Sequence, residues 1–375
     1  MRILVINWRG IKNPLAGGAE IYFQEIFRRL VQHGHEVTQL AERFPGSSAT
    51  EEVDGIRVIR MGGKNTFNFA VYRNLKRLSE KDNYDIVIDD LNKIPFYSPW
   101  LTKKPVMAIL MHLFRGSIFK ETIAPFAAYV YLTESIIPLA YKKCPVAVLS
   151  ESTKKDVVRL GINPERITVV PPGTNFDRYK PDFSVKREAI ILHVGRLKRY
   201  KSTDGLLQAA RLLKDRGRRF NLVIVGTGDD RPRLEKLATE LGIDKFCRFT
   251  GYISEDEKVA WYRRAALLVE NSIKEGWGLI VMEANACATP VVVAKSPGLV
   301  DSSHDGVNGL FYEYGDIEDM SEKIDRLLED DELRSRLGKQ AVEWAHKWTW
   351  DGAAEKMEQI IMQAAREHNE KTHPS

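Results

Sequence analysis

At 375 residues, with 43% hydrophobic and 29% charged positions, the chain has the composition of an ordinary soluble globular protein. It has more length than one hydrophobic core usually serves, so two domains are expected. Its three cysteines, odd in number and widely separated, exclude a disulfide framework and a structural zinc cluster, and a net charge of +5 is too small to mark a nucleic-acid binder while suiting phosphate-bearing ligands or an anionic membrane face.

No apolar run reaches the roughly 20 residues of a membrane span, and "MRILVIN" opens a strand pattern in place of a signal-peptide core. A cytoplasmic protein is expected, with peripheral contact at the inner face of the cell membrane left open. Short apolar strands then alternate with longer helical patterns, the signature of parallel βαβ units. In the first half the strands are "RILVIN", "EVTQLA", "DIVID", "VMAIL", "VAVLS" and "ITVV". Gly17 and Gly18 open the first helix, as a loop approached by phosphate or sugar would, or simply as a loop. His112 follows "VMAIL" at a strand's carboxyl end, where a histidine can be functional or structural.

The stretch Pro171 to Glu188, rich in proline, glycine and charge, reads as an interdomain linker with its boundary near Pro181. The second half repeats the pattern with "IILHVG", "NLVIVG", "CRFTG", "ALLVEN", "PVVVA" and "GLFY". The last helix, from Trp350, carries Ala353, Met357, Ile360, Ile361 and Ala364 at helical spacing and must pack on something. Two doubly wound domains bind ligands at the carboxyl ends of their strands, so residues from both halves are expected to serve one site.

The richest segment is "SIKEGWGLIVMEANACATPVVVA", with Glu275 and Glu283 eight positions apart. The backbone of Gly276, Trp277, Gly278 and Leu279 at a helix N-terminus can bind phosphate or sugar oxygens, and the two carboxylates can accept hydrogen bonds from vicinal hydroxyls. A helix cap and a solvated acid are the plainer alternative. "HVGRLKRYKS" sends Arg196 and Lys201 from one strand end, a cation pair suited to a diphosphate. "LVIVGTGDD" places Gly226 and Gly228 after a strand, but no third glycine follows at the spacing a nicotinamide site requires. No Asp-x-Asp and no His or Cys cluster of metal-ligand spacing occurs, so metal-independent chemistry without a cofactor is expected.

The order of "GGAE", "VLSESTKKDV", "ITVVPPGTNFDRYKP", "VGRLKRYKS", "LVIVGTGDD", "FTGYIS", "EGWGLIVMEANAC" and "DGVNGLF" resembles that of retaining glycosyltransferases of family GT4, which have the GT-B fold. The resemblance implies two Rossmann-like domains facing across a cleft: 1–181, acceptor-binding, joined by the C-terminal helix 357–375, and 182–356, donor-binding. It implies Glu275 on the transferred sugar, Glu283 on the donor ribose, Arg196 and Lys201 on the diphosphate, and amides from Gly276 to Leu279. His112 resembles the histidine near the anomeric carbon, Gly17 and Gly18 the loop beneath the diphosphate, and Gly226, Tyr252 and Ile253 the surroundings of the nucleotide.

Family members usually have glycine where this chain has Ala288, a change expected only to tighten helix packing, and glutamate where it has Asp301. The expected function is sugar transfer from a nucleotide-diphosphate donor of GDP-mannose or UDP-hexose type to an oligosaccharide or lipid-linked acceptor, by front-face attack with retention. The rivals are an epimerase-like user of nucleotide sugars, a non-catalytic sugar-nucleotide-binding subunit and a nicotinamide-dependent oxidoreductase. The helix pattern "NTFNFAVYRNLKRL", with Arg73, Lys76 and Arg77, could rest on an anionic membrane or be an ordinary amphipathic helix.

Overall fold

A computed structural model describes residues 1–91, 94–120 and 123–372. The chain forms two compact units, Met1–Gly173 with Trp350–Ser375, and Thr174–Thr349. The break falls upstream of Pro181 because the intervening residues are folded into the second unit: Tyr179 is buried, and its hydroxyl donates to Glu255 Oε2 at 2.5 Å.

The first unit is built on an eight-stranded sheet of β1 (Arg2–Ile6), β2 (Glu36–Ala41), β3 (Thr50–Val53), β4 (Ile56–Arg60), β5 (Ile86–Leu91), β6 (Val106–Leu110), β7 (Val146–Val148) and β8 (Ile167–Val169). Their order is β3-β4-β2-β1-β5-β6-β7-β8, parallel except for the β3–β4 pair. The apolar run Ile3 to Ile6 is wholly buried, as strands covered by helices on both faces require. Helix Gly18–Gln32 and the final helix Trp350–Thr372 belong to this unit. They meet through Arg29 Nε on Asp351 at 2.5 Å and through His33 and His35, each 2.7 Å from the Glu358 carboxylate. Met357 and Ile361 of the final helix are fully buried, so its apolar stripe does pack, and the helix enters the unit from its first residue.

The second unit holds a six-stranded parallel sheet of β9 (Glu188–Val194), β10 (Asn221–Val225), β11 (Cys247–Gly251), β12 (Ala265–Glu270), β13 (Val291–Ala294) and β14 (Gly309–Tyr312), in the order β11-β10-β9-β12-β13-β14. The direction of winding reverses between β9 and β12, and in the first unit between β1 and β5. Beyond the carboxyl ends of such paired strands the outgoing loops diverge and leave a crevice.

Candidate active site

At the β9–β12 reversal, Gly195 (φ +155°) lets the chain leave the sheet, and the short turn Arg199–Lys201 carries Lys201 back beneath it. Lys201 is buried, with Nζ 2.7 Å from Glu275 Oε1 and 3.4 Å from Glu270 Oε1. Burial works against its charge, but the two carboxylates prevail and raise its pKa above the ordinary lysine value. Arg196 is exposed on the same loop. Glu275 therefore meets the cation of the other motif, and both come together with Glu270, which sequence reasoning missed. Glu270 is fully buried and accepts the Ser272 hydroxyl; a carboxylate ending the apolar strand "ALLVE" was its only signal.

The Glu275 loop is clamped from two sides. Ile273 N donates to Tyr200 O and Glu275 N to Pro297 O, both at 2.9 Å. Gly298, at φ +85°, lies so close that a Cβ there would come within 2.2 Å of Glu275 O. Asp301 accepts the Gly298 amide at 3.1 Å, which gives that departure from the family pattern a capping role. Gly278, at φ +110°, caps helix Leu279–Ala286 without a side-chain cap, and its carbonyl accepts the Val281 amide at 3.0 Å, so the helix's first turn starts just beyond Gly276 and Trp277. The Trp277 indole is buried edge-on against Trp348 at 5.1 Å.

Glu283, inside that helix, is held apart from the lysine cluster. Its Oε2 accepts the Tyr262 hydroxyl at 2.8 Å and pairs with Lys258 Nζ at 3.0 Å. Lys258 also reaches Glu255 at 3.1 Å; its burial opposes the charge, but Glu283 and Glu255 hold its pKa above the ordinary value. Tyr262, Lys258 and Tyr179 were not singled out from sequence.

The Gly-x-Gly after β10 has a structural explanation. A Cβ on Gly226 would stand 1.9 Å from Gly195 O and one on Gly228 1.9 Å from Leu197 O. Both glycines let the β10 loop lie against the β9 loop that carries Lys201. Tyr252, 86% exposed, and the partly buried Ile253 follow edge strand β11.

In the first unit, Gly17 is the N-cap of helix Gly18–Gln32, and its amide donates to Glu20 Oε2 at 2.6 Å. Asp90, at the end of β5, accepts Asn7 Nδ2 at 2.8 Å. Burial, reinforced by Glu20 and Asp89, pushes its pKa well up. His112 stands two residues past β6, partly buried, with its ring 4.6 Å from that of Phe114.

Two Rossmann-like units, with the chain's last helix returned to the first, make this a GT-B fold. The model of the glycosyl transferases group 1 matches residues 176–344 and that of Glycosyltransferase Family 4 matches residues 16–178. The D-inositol 3-phosphate glycosyltransferase of Streptomyces bingchenggensis is 34% identical over 64% of this chain and 56% of its own length. That of Thermomonospora curvata is 28% identical over 92% of this chain and 90% of its own. The chain thus spans little more than half the length of the first of these curated relatives. Among solved structures, sucrose-phosphate synthase from Thermosynechococcus elongatus has a TM-score of 0.81 at 22% identity, covering 96% of this chain and 98% of that one. Anabaena HepE in complex with UDP and glucose has a TM-score of 0.77 at 17% identity, covering 97% and 100%. The chain belongs to glycosyltransferase family 4, within the group 1 glycosyltransferases.

Proposed function

We propose that the chain transfers a sugar, with retention of anomeric configuration, from a nucleotide-diphosphate donor to a hydroxyl of an oligosaccharide or lipid-linked acceptor, without a metal ion. The observation that carries this reading is Lys201 held between Glu270 and Glu275 where β9 and β12 part. A diphosphate arriving there takes up the ammonium as charge grows on the leaving phosphate. Glu275 is then released toward the hydroxyls of the sugar, while Glu270 keeps Lys201 in place from behind. Arg196 adds a second cation from the same loop, and the first-turn amides after Gly278 add donors. In this reading Glu283 binds the ribose and exchanges part of its bonding to Tyr262 and Lys258 for ribose hydroxyls, Tyr252 and Ile253 border the base, and His112 and the Gly17–Gly18 loop act on the donor sugar and diphosphate. The names of the inositol-phosphate relatives and the UDP in HepE are compatible with this donor chemistry.

The test is a transfer assay over UDP-, GDP- and ADP-sugars with acceptor present and withheld. Lys201→Ala should weaken donor binding by about 1.5–3 kcal/mol, the usual worth of a charged hydrogen bond. Glu275→Ala should lower turnover far more than nucleotide affinity. Acceptor-independent isomerisation of the donor, or tight binding with no turnover, would replace the reading with an epimerase or a binding subunit.

A further inference from the structure

Helix Ala124–Tyr141 of the first unit has 18 residues, and Glu134 is its only charged side chain. One face is core: Ala127, Val130, Ile137 and Tyr141 are buried. Glu134 is turned inward too, accepting the amides of Phe114 and Arg115 at 2.7 Å each, so the helix holds the stretch that follows His112. The opposite face is equally apolar, yet faces solvent: Phe126 is 62% exposed, Leu132 61% and Leu139 66%, with Tyr129 and Ile136 between them. Surface helices of soluble domains carry charge on that face, and a helix apolar all round needs a second apolar layer.

The surroundings say what that layer is. Trp100, 57% exposed, stacks on Tyr97, whose hydroxyl donates to Thr133 O of the same helix at 2.9 Å. Tyr72 of helix Phe67–Lys81 adjoins it, its phenol pushed up to about 12 by burial and then by Tyr129. That neighbouring helix buries Phe67, Val71 and Leu75 in the core, which leaves Phe69, Arg73, Lys76 and Arg77 exposed, and Lys142 and Lys143 are exposed at the end of the apolar helix. The stripe is thus accompanied by cations, and no described helix is long and apolar enough to cross a membrane.

We propose that this face docks on an anionic lipid bilayer, with Phe126, Leu132 and Leu139 entering the headgroup region while Arg73, Lys76, Arg77, Lys142 and Lys143 meet lipid phosphates. A second copy of the chain is the poorer occupant, because a two-fold contact through one patch sets like cations against each other. The inference stands independently of the proposed sugar transfer, and its readout is binding alone.

The full chain is sedimented with vesicles of phosphatidylcholine and with vesicles of equal parts phosphatidylcholine and phosphatidylglycerol. It should partition onto the mixed vesicles, more weakly as salt rises. Phe126→Glu with Leu132→Glu, and separately Arg73→Gln with Lys76→Gln and Arg77→Gln, should each lower that partition at least about tenfold. All of these positions are exposed, so melting temperatures close to that of the parent should accompany the loss. A parent chain that stays in the supernatant, or variants that bind as well as the parent, would overturn the proposal. So would a vesicle-free dimer that Phe126→Glu with Leu132→Glu converts to monomer, since the face would then be a self-interface.

Discussion

Ala288 lies at φ +60°, in the left-handed region where a Cβ crowds the following carbonyl. The family's glycine at this place is therefore a backbone requirement, and the expectation that alanine merely tightens helix packing misses it. The carbonyl of Ala288 accepts Arg187 Nη2 at 2.7 Å, and a Cβ on Gly338 would come within 2.5 Å of that same oxygen. The strained conformation is thus pinned by its neighbours. Ala288→Gly should stabilise the protein by about 0.5–1 kcal/mol, strain relief outweighing the extra freedom of the unfolded chain, as denaturant midpoints at unchanged slope would read out.

His193 gives the pH dependence its sign. It is wholly buried between Thr203 Oγ1 at 3.3 Å and Val269 O at 3.1 Å, and burial pushes its pKa below 6.5. The unfolded histidine takes up a proton near 6.5 that the folded one refuses, so this contribution to stability is present above that value and is lost as pH falls toward the lower folded one. Melting temperature should drop between neutral pH and about pH 5, and less steeply in His193→Gln. Singly, the residues of the candidate site were legible as motif members. Their partners were not, because Lys201 meets Glu270 through strand adjacency at the β9–β12 reversal, which no local spacing encodes.

Among the elements, the twelve strands expected from apolar runs are all present, because parallel strands buried on both faces stand out as continuous apolar stretches. The β3–β4 hairpin escaped notice for the opposite reason. As an edge pair it is half polar, and the only clear signal was the Asp54-Gly55 turn, at φ 50° and 78°, typical of two-residue hairpin loops. The supposed linker after Pro171 was misleading in the same way, since its prolines and charges hide the buried Tyr179.

Element contacts also position the chemistry. The strand-to-helix segment around Gly298 supports the Glu275 loop by the close approach of Gly298, by the Pro297 carbonyl and by the Ser296 hydroxyl, which donates to Ser272 O at 2.7 Å. Gly298→Ala adds left-handed strain of about 1–2 kcal/mol and a methyl 2.2 Å from Glu275 O, so the loop must shift. Turnover should fall by about tenfold or more, as for small misplacements of a reacting group, while the Lys201 contact keeps nucleotide affinity nearer the parent value. Equal losses in both quantities would mean that the whole site had collapsed, as distinct from Glu275 being moved.

At the scale of the whole molecule, the two units differ in how the chain builds them. The second runs unbroken from Thr174 to Thr349, whereas the first is completed by Trp350–Ser375. In the first unit Trp350 lies 6.1 Å from Tyr22, and Ala354, Met357 and Ile361 fill its core. Removing that helix strips apolar cover worth several kcal/mol against a net stability of only about 5–15 kcal/mol. A fragment of residues 174–349 is therefore expected to fold by itself, and a fragment of residues 1–173 to fail unless the final helix is supplied. Because Lys201, Glu270, Glu275 and Glu283 all belong to the continuous unit, the 174–349 fragment should still be stabilised by a nucleotide diphosphate. A ligand at 100 times its dissociation constant adds about 2.7 kcal/mol, which thermal melts with UDP, GDP and ADP would resolve. A shift with one of the three names the base; a shift seen in the full chain and absent from the fragment would move nucleotide binding onto residues of the first unit.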